Sequence, residues 1–170
     1  MAEPLSEQVI LKIGEAAPLY YRLILVVAPA GTGKTAALQD VREQTGASLI
    51  NVNLELSRRM LDLTAVQRAT HLPRILGEIV NKAEGDLVLL DNIEVLFDVS
   101  LQQDPLRLLQ GLSRNKTLVV AWNGNIDGKY ITYAMPGHPE YRRDPVRDFL
   151  VIGVPVPEKT AGKGPWGPTR

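Results

Sequence analysis

Residues 23–35 of this chain read LILVVAPAGTGKT. An apolar, partly β-branched run stops at Ala28 and Pro29, a glycine-containing turn follows, and Lys34 and Thr35 open a run of helix-forming residues. In a strand–loop–helix setting, the G-K-T sequence predicts a phosphate-binding P-loop, because the loop N–H groups and the positive end of the helix dipole meet there. This one stretch therefore predicts both an α/β fold and an anion site.

The loop supplies most of the predicted ligands. We predict that nucleotide is bound by eight consecutive residues, which are Pro29, Ala30, Gly31, Thr32, Gly33, Lys34, Thr35 and Ala36. Lys34 would reach the β- and γ-phosphates, and the Thr35 hydroxyl would ligate Mg²⁺. Ala28 stands where the usual pattern has its first glycine. An ordinary turn of small residues is the alternative, but it explains neither Lys34-Thr35 nor the apolar run. ATP or ADP with Mg²⁺ are the expected cofactors.

Composition narrows the class of protein. The 170 residues suit one domain, and 19 basic side chains balance 19 acidic ones, so no strong attraction to nucleic acid follows. With no cysteine, disulfide and thiolate chemistry are excluded. No apolar run approaches the ~20 residues of a membrane span, and the N-terminus is acidic where a signal peptide is basic. We expect a cytoplasmic protein with no membrane partner.

Strand and helix patterns alternate along the chain. Ser6 is predicted to cap a first helix, Gly46 to end the P-loop helix, Pro73 to lie in the first turn of a later helix, and Asp104 to cap another. Five strands are predicted, at residues 23–28, 47–53, 86–91, 117–122 and 149–154. The alternation predicts a three-layer α/β sandwich with a mostly parallel five-stranded sheet. We expect residues 1–154 to form the nucleotide-binding domain and residues 155–170, which contain Trp166, to form a flexible tail.

A carboxylate ends the third predicted strand. Asp91 follows four apolar residues, which is the Walker B arrangement and makes it a candidate Mg²⁺ ligand with Thr35. A helix cap or a turn residue is the alternative. Many ATPases have Glu directly after this Asp, but here Asn92 stands there, and an amide cannot accept a proton from water. Glu94 could turn toward the γ-phosphate or could be solvated, and both alternatives stay open.

Further candidates lie at the fourth and fifth strands. Asn123 ends the fourth strand, where it could contact the γ-phosphate or the attacking water in the role called sensor 1, or could belong to a turn. Arg142 and Arg143, before the fifth strand, could stabilise charge at the nucleotide of a neighbouring subunit, as could Arg147 or Arg114. The alternative for the arginine cluster is a solvated helix face, because acidic side chains are interleaved with it.

The order of these motifs resembles the additional-strand class of P-loop ATPases, close to the AAA+ core. That resemblance implies the sheet order 5-1-4-3-2. The sequence Asp91-Asn92-Ile93-Glu94 is similar to the Walker B of some DnaA-like regulators. The helical lid of AAA+ proteins is expected to be absent, because only about fifteen residues follow the last predicted strand.

A closer resemblance covers most of the chain. Five segments resemble the BrxF family, the small P-loop proteins of type 3 BREX phage-defence systems; they are residues 19–23, 53–59, 91–94, 122–124 and 133–141. The resemblance implies an antiviral role in bacteria, beside a large ATPase, a PglZ-like protein and a DNA methyltransferase.

Two functions of different kinds compete. The first is an ATPase that couples hydrolysis to assembly of a defence complex on DNA, which Glu94 and Asn123 favour. The second is a nucleotide-gated adaptor with little hydrolysis, which Asn92 and the absent lid favour. A small-molecule kinase ranks last, since no arginine-rich lid is evident. We also expect self-association with nucleotide and weak DNA binding that depends on the oligomer.

Overall fold

The computed structural model describes residues 4–154. The helices of this range are α1 (Leu5–Ala16), α2 (Lys34–Thr45), α3 (Val52–Arg59), α4 (Ala65–Lys82) and α5 (Pro105–Leu112), with 3₁₀ turns at Glu94–Phe97 and Val99–Leu101. The strands are β1 (Leu23–Ala28), β2 (Ser48–Asn51), β3 (Leu87–Asp91), β4 (Thr117–Asp127), β5 (Tyr130–Tyr133), β6 (Arg142–Pro145) and β7 (Leu150–Gly153). The predicted tail, residues 155–170, lies outside the described residues.

Five of the strands form one parallel sheet. The order is β7-β1-β4-β3-β2, so the strands predicted as first to fifth have the order 5-1-4-3-2 that the resemblance implied. The register pairs Leu23 with Leu118 and Leu87 with Thr117. Because all five strands run the same way, their carboxyl ends lie at one edge of the sheet.

Helices cover both faces of the sheet, which gives the predicted three layers. All six residues of β1 are buried. Ile24 and Val26 pack in one apolar cluster with Leu38 of α2. The intervening Leu25 packs in the other, with Leu76 of α4. The alternation of side chains along a strand places these residues on opposite faces, and burial on both faces explains why the strand reads as a continuous apolar run.

The five-strand prediction missed an antiparallel ribbon. Strand β4 continues to Asp127 and pairs with β5, which pairs with β6, so the sheet has seven strands within the described residues. The helix-face alternative for the arginine cluster is wrong at Arg142 and Arg143, which lie in strand β6. The sequence did contain a signal for this turn, which is Gly128. It lies in the two-residue loop between β4 and β5 and has φ of 63°, a conformation that favours glycine.

Gly124 permits the ribbon to pack closely. The indole Nε1 of Trp122 donates to the carbonyl oxygen of Thr132 at 3.0 Å. A Cβ at Gly124 would lie 1.7 Å from that same oxygen. Only glycine allows β5 to approach β4 so closely, since this position has no room for a side-chain atom.

Two helix predictions need correction. Ser6 does not cap α1, because the N-cap is Pro4 and Ser6 is buried in the first turn. Pro73 lies inside α4 rather than in a first turn. A proline there cannot donate to the carbonyl four residues earlier; that acceptor, the oxygen of Ala69, is satisfied by the side-chain amide of Gln103 at 2.9 Å. Tertiary contact therefore compensates for the proline. Within residues 4–154, no helix has the length and apolar character needed to cross a membrane.

Candidate functional site

The P-loop connects β1 to α2 at the carboxyl edge of the sheet. Gly31 and Gly33 have φ of 79° and 94°, and Gly33 is the N-cap of α2. Such left-handed conformations favour glycine, and they allow successive peptide N–H groups to form a concave anion-binding surface. The predicted loop residues thus have the backbone that phosphate binding requires.

Lys34 lies at the centre of the loop. Its side chain is buried, and Nζ donates to the carbonyl oxygens of Ala28 at 2.9 Å and Pro29 at 2.7 Å. Burial lowers the pKa of Lys34, while the negative charges of Asp91 and Glu94 act in the opposite direction. The ammonium group is therefore poorly solvated, and a phosphate oxygen would give it a partner of opposite charge.

Thr35 and Asp91 meet across the site. The Thr35 hydroxyl donates to Asp91 Oδ2 at 2.6 Å, and Asp91 Oδ1 accepts from the backbone N–H of Asn92 at 2.9 Å. Asp91 is the last residue of β3 and is buried. A buried carboxylate at a strand end is costly without partners, and here its partners include Thr35, the second residue of the P-loop helix.

The oxygen atoms of Thr35 and Asp91 suit a hard divalent cation. Mg²⁺ is held by one or two carboxylates together with substrate phosphates and water, rather than by a cage made of protein alone. Residues 4–154 contain no cluster of three or more His, Cys, Asp or Glu side chains that could hold a metal. The donor set thus fits a Mg²⁺ ion that binds together with a nucleotide.

Glu94 faces the site. The chain turns at Asn92, which has φ of 52°, and a 3₁₀ turn begins at Glu94. Glu94 Oε2 accepts from Asn123 Nδ2 at 2.6 Å, and Oε1 accepts from Asn53 Nδ2 at 3.2 Å. Of the two alternatives left open above, the structure therefore has the carboxylate directed to the site, between two amides. Asn92 itself is exposed.

Asn53 is a site residue that the sequence interpretation missed. It lies in α3, two residues after the end of β2. Its side-chain oxygen accepts from the N–H of Val95 at 2.8 Å, and its own N–H donates to the oxygen of Asn92 at 2.8 Å. These bonds fix the turn that carries Glu94. A polar residue just after a parallel strand was the available signal, because such residues gather at the carboxyl edge of the sheet.

A cavity of about 280 Å³ joins these groups. It is lined by Ala30, Gly31, Gly33, Lys34, Thr35, Asp91, Asn92, Glu94 and Asn123. All four predicted residues at the ends of the third and fourth strands are among them, together with much of the loop. Pro29, Thr32 and Ala36 belong to the same loop and helix start but do not line the cavity.

The arginine candidates lie away from this cavity. Arg142 Nη2 donates to Asp104 at 3.1 Å, and Arg142 Nε donates to Asp144 at 3.3 Å. The guanidinium of Arg143 lies 3.7 Å from the centroid of the Tyr130 ring, and Arg114 lies over another tyrosine. Among the arginines that the structure describes, none lines the cavity. A role in a neighbouring subunit's site stays a prediction.

Fold and site together define the class. A P-loop follows β1, Asp91 ends β3, and β4 lies between these two strands in the parallel sheet. This is the P-loop NTPase fold in its additional-strand form, with an antiparallel ribbon continuing from β4.

No family model matches the chain, and no curated protein matches it. Among solved structures it is similar to PCH-2 of C. elegans, with 16% sequence identity and a TM-score of 0.44. The match covers 89% of this chain and 43% of that chain, so the present chain spans less than half of PCH-2's length.

Proposed function

We propose that this chain binds ATP or ADP together with Mg²⁺ in the cavity between the P-loop and Asp91. The observation that carries the proposal is the 2.6 Å hydrogen bond from the Thr35 hydroxyl to Asp91. It brings together the two side chains that would share the metal, although 56 positions separate them in the sequence. The glycine conformations of the loop and the buried Lys34 support the same proposal.

Each group has a definite part in binding. The loop N–H groups and the α2 N-terminus would hold the phosphate oxygens. Lys34 would exchange its two carbonyl acceptors for phosphate oxygens of higher charge density. A bound Mg²⁺ ion would neutralise phosphate charge, and the oxygen atoms of Thr35 and Asp91 would orient it.

We further propose slow ATP hydrolysis, with Glu94 orienting the attacking water. A carboxylate in the site is a suitable proton acceptor, and Asn123 would contact the water or the γ-phosphate. The second candidate function is a nucleotide-gated adaptor with little or no hydrolysis. It is favoured by the hydrogen bonds that Asn53 and Asn123 donate to Glu94, because an attacking water would have to share the carboxylate oxygens with these two amides.

Calorimetric titration of Lys34→Ala tests nucleotide binding. The variant should stay folded but lose at least about tenfold in ATP and ADP affinity, since a charge-assisted hydrogen bond is worth roughly 1.5–3 kcal/mol. Lys82→Ala is the matched control, because it removes the same charge from an exposed position at the end of α4. Equal affinity in the two variants would refute the P-loop assignment.

The biological setting that we propose is a bacterial phage-defence complex of the BREX type. This proposal is supported by the resemblance of five short segments to BrxF proteins. No family model matches the chain, so the resemblance of these segments carries the proposal alone. Co-expression with the products of neighbouring genes, followed by size-exclusion chromatography, tests for a complex. A chain that elutes alone with and without ATP would count against this setting.

We propose that the isolated chain binds DNA only weakly, on the order of 10⁻⁴–10⁻⁶ M at physiological salt, the usual non-specific range. Formal net charge is zero, and the ribbon arginines are paired, Arg142 with Asp144 and Arg143 with Asp127. Assembly of several copies would strengthen binding through avidity. A salt titration of duplex binding tests this, and nanomolar, salt-resistant binding would contradict it.

A further inference from the structure

The antiparallel ribbon contacts the segment that carries Glu94. The ring of Tyr133, at the end of β5, is stacked on the ring of Phe97 with centroids 3.5 Å apart and planes inclined by 6°. Phe97 ends the 3₁₀ turn that Glu94 begins. Side chains three residues apart lie on the same side of a 3₁₀ turn, so a displacement of Phe97 would move Glu94 with it.

The ribbon also contacts the neighbour of Asn123. Trp122 is fully buried and donates its indole N–H to the carbonyl of Thr132, the residue before Tyr133. The ring centroid of Trp122 lies 5.2 Å from that of Phe97 and 6.2 Å from that of Tyr133, in edge-to-face geometry. Edge-to-face contacts of this kind stabilise aromatic pairs beyond what the buried area alone contributes.

Thr132 and Tyr133, which are consecutive in β5, therefore contact the neighbourhoods of the two residues that form the Asn123–Glu94 hydrogen bond. Thr132 fixes Trp122 and hence the strand position of Asn123, while Tyr133 fixes Phe97 and hence Glu94. We propose that β5 sets the 2.6 Å contact between Glu94 and Asn123, with Tyr133 as the positioning residue for the Glu94 carboxylate. The effect of Tyr133 on the rate of ATP hydrolysis rests on the ATPase function proposed above. Its effect on the position of the Glu94 carboxylate does not.

The electrostatics of Tyr133 agree with this arrangement. Burial raises its pKa to about 12, and the negative charges of Glu94 and Glu140 add to the effect. The phenol thus lies within electrostatic reach of the carboxylate that it would position. The opposite face of β5 offers a matched control, because alternate side chains of a strand point to opposite sides. Tyr130 lies on that face and contacts Arg143.

The first test needs no nucleotide. The side-chain amide signals of Asn123, followed by NMR, report its bond to Glu94. Tyr133→Ala should shift these signals, while Tyr133→Phe, which keeps the stacked ring, and Tyr130→Ala should leave them in place. If Tyr133→Ala does not fold, Phe97→Leu removes the same stack at similar volume and should produce the shift. Unchanged Asn123 signals in a folded variant without the stack would overturn the proposal.

The second test is the kinetics of ATP hydrolysis. Tyr133→Ala should lower kcat by about 10- to 100-fold, since a misplacement of about 1 Å can cost that much. The KM for ATP and the binding stoichiometry should stay close to those of the parent, and Tyr133→Phe should restore kcat. Equal losses of kcat and of binding stoichiometry would show a merely structural role. If the parent neither binds nor hydrolyses ATP, the proposed function fails, and the NMR test still decides the role of Tyr133.

Discussion

Glu94 shows how the environment of one side chain limits the chemistry of the site. Both carboxylate oxygens accept hydrogen bonds from amides, one from Asn53 and one from Asn123. Asn92, the residue directly after Asp91, is exposed and has no proton-accepting group. Asp91 is thus the carboxylate beside Thr35, whereas Glu94 is held by two amides, with which any water bound to Glu94 would share the carboxylate oxygens.

Substitution at Glu94 separates binding from turnover. Glu94→Gln should keep ATP affinity, because the P-loop is unchanged, and should lower turnover at least about 100-fold, the lower range for general-base catalysis. Binding by calorimetry and phosphate release by a coupled assay check this. Asn92→Glu should raise turnover if the position lacks only its base. Turnover of Glu94→Gln equal to that of the parent would show that Glu94 is not the catalytic residue.

Tyr133 should keep its phenolic proton to high pH. Burial raises its pKa to about 12, and the negative charges of Glu94 and Glu140 act in the same direction. Since the unfolded value is near 10, the native state keeps this proton between pH 10 and 12 while the unfolded state loses it. Stability from this group is complete below pH 10 and is lost as the pH rises toward 12.

A spectrophotometric titration of phenolate absorbance measures this directly. The parent should show a late phase near pH 12 that Tyr133→Phe lacks. Urea unfolding of the two proteins between pH 9 and 11.5 should show a steeper loss of stability in the parent. A Tyr133→Phe titration curve that keeps the late phase would contradict the assignment.

The antiparallel ribbon is the element that departs most from the predicted sheet. It extends β4 by five residues past Trp122 and adds β5 and β6. Its junction depends on close contact at Gly124, where the backbone of β5 occupies the space of a side chain. The ribbon is thus joined to the parallel sheet just beside Asn123. A change in the packing of the ribbon would therefore displace a residue of the candidate site.

Gly124→Ala should destabilise this junction. The added Cβ would lie 1.7 Å from the Thr132 carbonyl oxygen, so β5 must move away from β4. The hydrogen bond from the Trp122 indole to that oxygen must then lengthen. We expect a loss of about 1–3 kcal/mol in the free energy of unfolding, as for other overpacked sites. Urea denaturation measures it. Gly111→Ala in α5 is the control, because its Cβ would meet nothing within 4 Å and should be neutral or slightly stabilising. Equal stabilities of the two variants would contradict the close packing.

The cavity lies at the carboxyl edge of the sheet, and none of the arginines within residues 4–154 lines it. P-loop enzymes stabilise transition-state charge with an arginine supplied in cis or by a partner. Arg142 and Arg143 lie on β6, outside their own cavity. A second copy that presented these arginines would complete the site.

We predict that the chain self-associates when nucleotide is bound, with a second copy supplying the arginine. With Mg²⁺ and a non-hydrolysable ATP analogue, light scattering should show a mass of at least twice 18.7 kDa. Lys34→Ala should stay monomeric under the same conditions, because it cannot retain the nucleotide. A parent chain that is monomeric at high concentration with every nucleotide would contradict the expectation.

Local patterns were sufficient for the parallel core. The P-loop, the apolar run before Asp91, Gly46 at the end of α2 and the Asp104 cap of α5 were all predicted where the structure has them. Each of these features depends on residues that are close together in the chain, because a turn, a run of apolar residues in a strand and a helix cap are all local. The order of the five strands came from a resemblance to known P-loop ATPases, and the structure confirms it.

The class of fold, the P-loop and the carboxylate at the end of β3 could be predicted from local sequence patterns. The orientation of Glu94 could not, because its amide partners lie 41 and 29 positions away and meet it only when parallel strands align their carboxyl ends. The tertiary structure decided this orientation, and it also decided the ribbon and the packing of Pro73 within α4. These features depend on contacts between distant segments, such as Thr132 with Trp122 and Gln103 with Ala69, and no local periodicity encodes such contacts.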